Sequence, residues 1–134
     1  MSVTILDAVG DYLVAQLGYA YETNLFLATM PDSPDSISVI YENAGSSPDF
    51  TMGASSVTLD APMIQVITRG AEEDYVGARD RAMAIRDVLG NLANVTVSTV
   101  KIVRIEAMGS INPLGTDSHR RHMISTNYRC LVQR

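Results

Sequence analysis

Residues 61–90 hold the pattern that most constrains the fold of this chain. An apolar, β-branched run at residues 63–69 predicts a strand that ends at Gly70. A longer segment follows in which apolar side chains recur at three- and four-residue spacing: Tyr75, Ala78, Ala82, Ile85 and Leu89. That spacing places them on one face of an amphipathic helix. The stretch therefore predicts a strand that leads through a short turn into a helix packed on a sheet.

The turn between the predicted strand and helix is acidic. Asp74 is suited to cap the helix N-terminus, and Glu72 and Glu73 lie near the positive end of the helix dipole. Gly90 is suited to close the helix in a left-handed conformation. A strand-to-helix turn often holds a phosphate in α/β enzymes, but here carboxylates stand where the phosphate would bind. The turn thus favours a scaffold role over phosphate binding.

The rest of the chain adds one further helix and several strands. Helical periodicity covers residues 4–17 and ends at Gly18. Extended segments are predicted at residues 25–28, 37–41, 95–97, 101–108 and 123–132. The last two are expected to pair as a long antiparallel hairpin across a turn region at residues 109–119, with Val103, Ile105 and Ala107 sharing one face of the first strand. The predicted fold class is α+β, a mixed and mostly antiparallel β-sheet with two main helices packed on it, in a single domain over residues 1–134.

Residues 42–61 show no clear period and contain turn-forming residues. They predict a long irregular loop, which we expect to be mobile in the free subunit and ordered in an assembly. Phe50 and Met52 are apolar residues within it. Two interpretations stay open for these two side chains: packing on their own domain, or contact with a partner that covers them.

Composition excludes several classes of protein. The net charge of −5 argues against a protein that grips nucleic acid by neutralising phosphates. No apolar run approaches the roughly 20 residues needed to span a bilayer, so no membrane association is expected. The single cysteine, Cys130, excludes an intrachain disulfide, and its place on the apolar face of the last strand favours a buried thiol over a nucleophile.

The densest polar cluster is at residues 117–122, and it contains both histidines of the chain, His119 and His122. Neighbouring residues on a turn cannot easily hold the geometry of a catalytic triad, and no third metal ligand stands at a recognisable spacing. No catalytic residue, cofactor or metal is therefore predicted. The cluster is expected to form a solvated basic hairpin tip, or a charged contact in which Arg120 and Arg121 meet an acidic neighbour.

Four features together resemble the minor capsid or tail-terminator proteins of long-tailed bacteriophages. They are the N-terminal amphipathic helix, the proline-containing segment 30–35 before the strand at 37–41, the strand and helix within residues 64–89, and the closing hairpin with Pro113-Leu114-Gly115 near its turn. The resemblance extends from about Leu6 to Val132. It rests on the overall pattern and not on any single motif.

The resemblance implies a structural protein of the virion tail or neck region, assembled in the bacterial host cytoplasm. It implies a homo-oligomer, a hexameric ring that caps the tail tube, with the tail tube protein and a head-completion or connector protein as partners. DNA would pass through the lumen without specific binding, as the acidic surplus favours. A ring requires two different, complementary patches on each subunit.

The predicted subunit interface combines the acidic turn with the basic tip of a neighbouring subunit. Its residues are Glu72, Glu73, Asp74, Arg120 and Arg121, together with Phe50 and Met52 from the loop. One alternative is another neck or tail component, such as a head-completion or tail-tube-associated protein. A second, from a different class, is a small enzyme or ligand-binding domain that uses His119 and His122.

Overall fold

The computed structural model describes residues 4–50 and 57–133, which form two helices and six strands. In chain order these are α1 (Ile5–Leu17), β1 (Leu25–Leu27), β2 (Ile37–Phe50), β3 (Val57–Glu72), α2 (Tyr75–Leu89), β4 (Asn91–Val97), β5 (Val100–Thr116) and β6 (Arg121–Gln133). The predicted α+β class is confirmed. Among these residues neither helix combines the length and the apolar character that crossing a bilayer requires.

All six strands belong to one sheet, in the order β1-β2-β3-β6-β5-β4. β1 pairs in parallel with β2, and every other pair is antiparallel. β3 is the central strand, because it pairs with β2 on one side and with β6 on the other. The predicted closing hairpin is confirmed as the pairing of β5 with β6.

Both helices pack on the sheet and complete one main apolar core. α1 begins with a capping box in which Thr4 and Asp7 satisfy each other's backbone N–H groups, and it ends at Gly18 in the left-handed conformation. The side chain of Asp74 caps α2 by accepting a hydrogen bond of 2.9 Å from the N–H of Gly77, as predicted. The core cluster unites residues of both helices with all six strands: Val9, Leu13, Leu25, Ile64, Ile85, Leu89, Ile105 and Tyr128 are among its fully buried members. Cys130 is also in it, as expected.

The predicted irregular loop at residues 42–61 is wrong over most of its length. β2 continues to Phe50 and β3 begins at Val57. Within the predicted loop, residues 51–56, which include Met52, lie outside the described residues. Three shifts of register, between Asn43 and Phe50, let the two strands stay paired despite Gly45 and Pro48. The turn-forming residues therefore mark bulges in a long hairpin and not the end of a strand.

β5 also departs from simple alternation. Ile102 and Ile105 are both fully buried, although residues three positions apart on a regular strand point to opposite faces. Ile102 pairs with Val132 and Arg104 pairs with Leu131, so Val103 is an extra residue in a β-bulge. After the bulge, the side chains of β5 alternate between the two faces of the sheet in the opposite phase. The predicted face of Val103, Ile105 and Ala107 is therefore wrong at its first member. The predicted turn region is also too long, since β5 runs on to Thr116.

Two glycines have other roles than predicted. β3 does not end at Gly70 but continues to Glu72. A Cβ at Gly70 would lie 2.9 Å from the Cβ of Ala78 and 2.8 Å from the carbonyl oxygen of Asp74, so this glycine permits α2 to approach the strand closely. Gly90 has φ −67° and is right-handed, so the predicted left-handed closure of α2 is wrong.

We expect Gly70→Ala to destabilise the protein because the added methyl group has no space between β3 and α2. The cost should be about 1–3 kcal/mol, the range of overpacking substitutions. Chemical denaturation of the purified variant measures it. The control is Val76→Ala, since Val76 is 65% exposed near the start of the same helix. Equal stability of Gly70→Ala and wild type would contradict the close approach.

Candidate functional site

Of the residues predicted to form an interface, Met52 lies outside the described residues, and the others lie near opposite ends of β3. Glu72 is the last residue of β3 and is the pairing partner of Arg121 in β6. Phe50, the last residue of β2, pairs with Val57 at the first residue of β3. The sheet thus brings the acidic turn and the basic tip together at one end, which we call the charged end. It places the pair Phe50 and Val57 at the other.

Arg121 is the organising residue of the charged end. Its side chain is only 4% exposed, so the expected solvated basic tip is wrong at this position. Its guanidinium donates to the Asp117 carboxylate at 2.9 Å, to the Asp35 carboxylate at 3.0 Å and to the Asp32 carboxylate at 3.0 Å. It also donates to the backbone carbonyl of Asp32 at 2.6 Å. A buried arginine is tolerated here because carboxylates and a carbonyl satisfy its donors.

Arg69 of β3 completes the same arrangement. It is buried, and its guanidinium donates to the backbone carbonyls of Asp35 at 3.0 Å and Pro34 at 2.7 Å. Together the two arginines fasten the proline-containing segment before β2 onto the sheet. That segment is consequently held in place by buried hydrogen bonds within its own chain.

Asp117 is the carboxylate most strongly held at this end. Its burial alone would raise its pKa, but hydrogen bonds from the backbone and side chain of Arg121 and from the backbone of His119 outweigh that effect and lower the pKa to about 2. Burial alone would lower the pKa of Arg121. Its contacts with the three aspartates outweigh that effect and raise the pKa. Both groups therefore stay charged throughout the neutral range.

Arg120 lies beside Arg121 but is exposed. Its guanidinium forms ion pairs with Glu72 and, at 3.3 Å, with Glu73 of the same chain. The contact that the sequence suggested between neighbouring subunits is thus formed within one subunit. Exposed ion pairs of this kind contribute only about 0–1 kcal/mol to stability. The charged groups of Arg120, Glu72 and Glu73 therefore remain available to a partner.

The two histidines do not form a site together. His119 lies 3.6 Å from the carboxylate of Asp32, whereas the ring of His122 packs edge-on against Tyr75 with 5.3 Å between centroids. Over residues 4–50 and 57–133 no group of three metal-binding side chains comes together. Burial raises the pKa of the Cys130 thiol to about 12, which leaves it un-ionised and a poor nucleophile at neutral pH.

A second feature is a groove between α1 and β1, with a volume of about 580 Å³. Its lining residues are Asp7, Asp11, Tyr21, Glu22, Leu25, Phe26, Leu27 and Thr29. The Tyr21 hydroxyl donates to the carboxylate of Asp11 at 2.7 Å, and Ser98 donates to the other oxygen of that carboxylate. The groove combines an apolar floor with an acidic rim.

Comparison with known families decides between the alternatives left open by the sequence. Residues 8–134 match the family described as "Bacteriophage tail terminator protein". The chain belongs to this family. As a tail terminator it is a structural protein of the phage virion, located in its tail or neck region, as the resemblance implied.

One of the solved structures that share the fold of this tail terminator aligns over nearly its whole length. It is a chain of the "Virion of native gene transfer agent (GTA) particle", with a TM-score of 0.64 and 14% sequence identity. The alignment covers 97% of this chain and 95% of that chain, so the likeness includes essentially every element. No protein of curated function matches the sequence.

Sequence patterns missed three residues of the charged end, namely Asp32, Asp35 and Arg69. Arg69 is the last residue of the predicted strand at residues 63–69, and the two aspartates lie in the proline-containing segment 30–35. The sequence patterns give none of the three a role in a site. The available signal was a basic residue at the end of a buried strand, because a buried guanidinium requires acceptors nearby.

We expect Asp117→Asn to lower the free energy of unfolding at pH 7 by about 1–2 kcal/mol. Because the folded pKa of Asp117 is depressed to about 2, its stabilisation is present above the unfolded value of 3.8 and is lost as the pH falls towards 2. Denaturation curves between pH 2 and pH 7 measure this. The variant should lose less stability than wild type over that interval.

The matched control for this prediction is Asp80→Asn, since Asp80 is exposed on α2. It should follow the wild-type curve. A variant at position 117 whose stability depends on pH as wild type does would contradict the assigned role of Asp117.

Proposed function

We propose that this tail terminator assembles into a hexameric ring that caps the tail tube and presents its other face to a head-completion or connector protein. Membership of the tail terminator family carries this proposal. The ring itself, its six copies and its two partners go beyond that membership. They are argued from the shape and charge of the subunit.

The two ends of the sheet suit the two faces of such a ring. β3 extends over Val57–Glu72, with the charged end at one extremity and the pair Phe50 and Val57 at the other. If the strands run from one face of the ring to the other, each face presents a different chemistry, and each therefore suits a different partner. We propose Glu72, Glu73, Asp74 and Arg120 as contacts at one face and Phe50 and Met52 at the other, with Arg121 holding the charged end in shape.

The charge of the subunit suits a passage for DNA. A net charge of −5 repels phosphates, so DNA would slide through the lumen without specific binding. We further propose that the protein has no enzymatic activity. The un-ionised thiol of Cys130 and the separate environments of His119 and His122 support this.

The experiment that tests the ring is assembly with the tail tube protein of the same phage. Purified protein should sediment as a hexamer, or become one at tube ends, and should stop tube polymerisation when added during growth. Electron microscopy should show a ring at one end of each tube. A strict monomer that leaves tube growth unchanged would contradict the proposal, and a labelled copy found away from the tube–neck junction would favour another neck component.

We expect reversal of the acidic turn, Glu72→Lys with Glu73→Lys, to weaken assembly with a partner at low salt on the order of tenfold. The reason is that both carboxylates are exposed and pair only with the exposed Arg120 within the described residues. Sedimentation at two salt concentrations measures it. Glu42→Lys with Asp87→Lys is the matched control, because it makes the same change in charge at exposed positions outside the acidic turn. Equal loss in both variants would point to net charge and remove the acidic turn from the contact.

A further inference from the structure

We propose that the groove between α1 and β1 receives the start of α2 from a neighbouring copy of this chain, with Val76 and Arg79 as the inserted side chains. This inference rests on the proposed ring and names the two patches that would build it. The groove and the helix start belong to different surfaces of one subunit. Contact between them is therefore heterologous, the type that closes into rings.

The chemistry of the groove defines what it accepts. Leu25 is fully buried, whereas Phe26 and Leu27 are half-buried, so the accessible apolar surface of the groove comes from Phe26 and Leu27. Asp7 and Glu22 stand on the rim. Hydrogen bonds from the backbone and hydroxyl of Thr4 lower the pKa of Asp7 and keep it ionised. Such a groove fits an apolar side chain next to a cation whose aliphatic stem also packs on the floor.

The first turns of α2 offer that combination. Val76 is 65% exposed, the most exposed of the large apolar side chains within residues 4–43 and 60–133. Tyr75 beside it is 37% exposed. Arg79 follows three residues after Val76, one turn along the same helical face, and is also exposed. It forms no ion pair with any of residues 4–43 and 60–133.

Charge selects a second copy in the head-to-tail arrangement. Joining two grooves would bring Asp7 and Glu22 of one copy against the same carboxylates of the other. That symmetric arrangement opposes like charges, which costs several kcal/mol at an interface. Placing Arg79 in the groove of the next copy pairs opposite charges and covers Val76 at the same time.

A charge swap tests the proposal. Arg79→Glu alone and Glu22→Lys alone should each reduce assembly at least tenfold, measured by sedimentation over a range of protein concentrations. The double variant that carries both changes should recover rings, because each groove then meets the opposite charge again. An equimolar mixture of the two single variants should also form rings, in which the two variants alternate, because the helix start of each then meets the opposite charge in the groove of the other.

Apolar contact is tested separately. Val76→Glu should prevent ring formation, whereas Met108→Glu, which changes a 40% exposed side chain on β5, should leave it intact. Circular dichroism and thermal melting of each variant confirm that it is folded, and all these positions are exposed.

The outcomes separate this inference from the proposed function. Rings that persist in Val76→Glu and Arg79→Glu, or a charge swap that fails to restore them, would overturn the groove contact while leaving the ring proposal standing. A wild-type chain that stays monomeric even beside tube ends would overturn both. Rings lost in the single variants and regained in the double variant would establish the contact.

Discussion

The structure depends on the pairing of β3 with a strand on each side. β2 and β6 both run antiparallel to it for most of its sixteen residues. This pairing carries residues that are remote in sequence to common positions, such as Glu72 beside Arg121. α2 can cover the strand closely because Gly70 has no side chain. The core on one face of the sheet and the charged end at its extremity both follow from this arrangement.

At the charged end, buried charged side chains fix the conformation of the chain. Arg69 and Arg121 are buried, and their partners are three aspartates and the backbone of the segment before β2. Removing one partner from such a group leaves a buried charge without compensation, which is costly. The buried arginines therefore fix the form of this end, while the exposed Arg120, Glu72 and Glu73 remain available to a partner.

Sequence patterns predicted which segments form helices and strands better than they predicted the residues at which these begin and end. The helix at Tyr75–Leu89, its cap at Asp74 and the β5–β6 hairpin follow from local periodicity and capping, which the sequence carries directly. The bulges at Val103 and between Asn43 and Phe50 could not be predicted, because the pairing of distant strands creates them. The same limit applies to the site. Arg120 and Arg121 were visible as charges, but only the fold shows that Arg121 is buried and that the partners of both lie in the same chain.

The proposed ring uses both the unlike ends of the subunit and its two proposed lateral patches. The two ends would contact different partners, and the complementary patches would join each copy to the next until the ring closes. The most direct test is an electron cryomicroscopy map of the protein assembled on a tail tube. The account predicts six copies, with Val76 and Arg79 of each seated between α1 and β1 of the next. A map in which those grooves face solvent, or in which the copies do not form a ring, would contradict it.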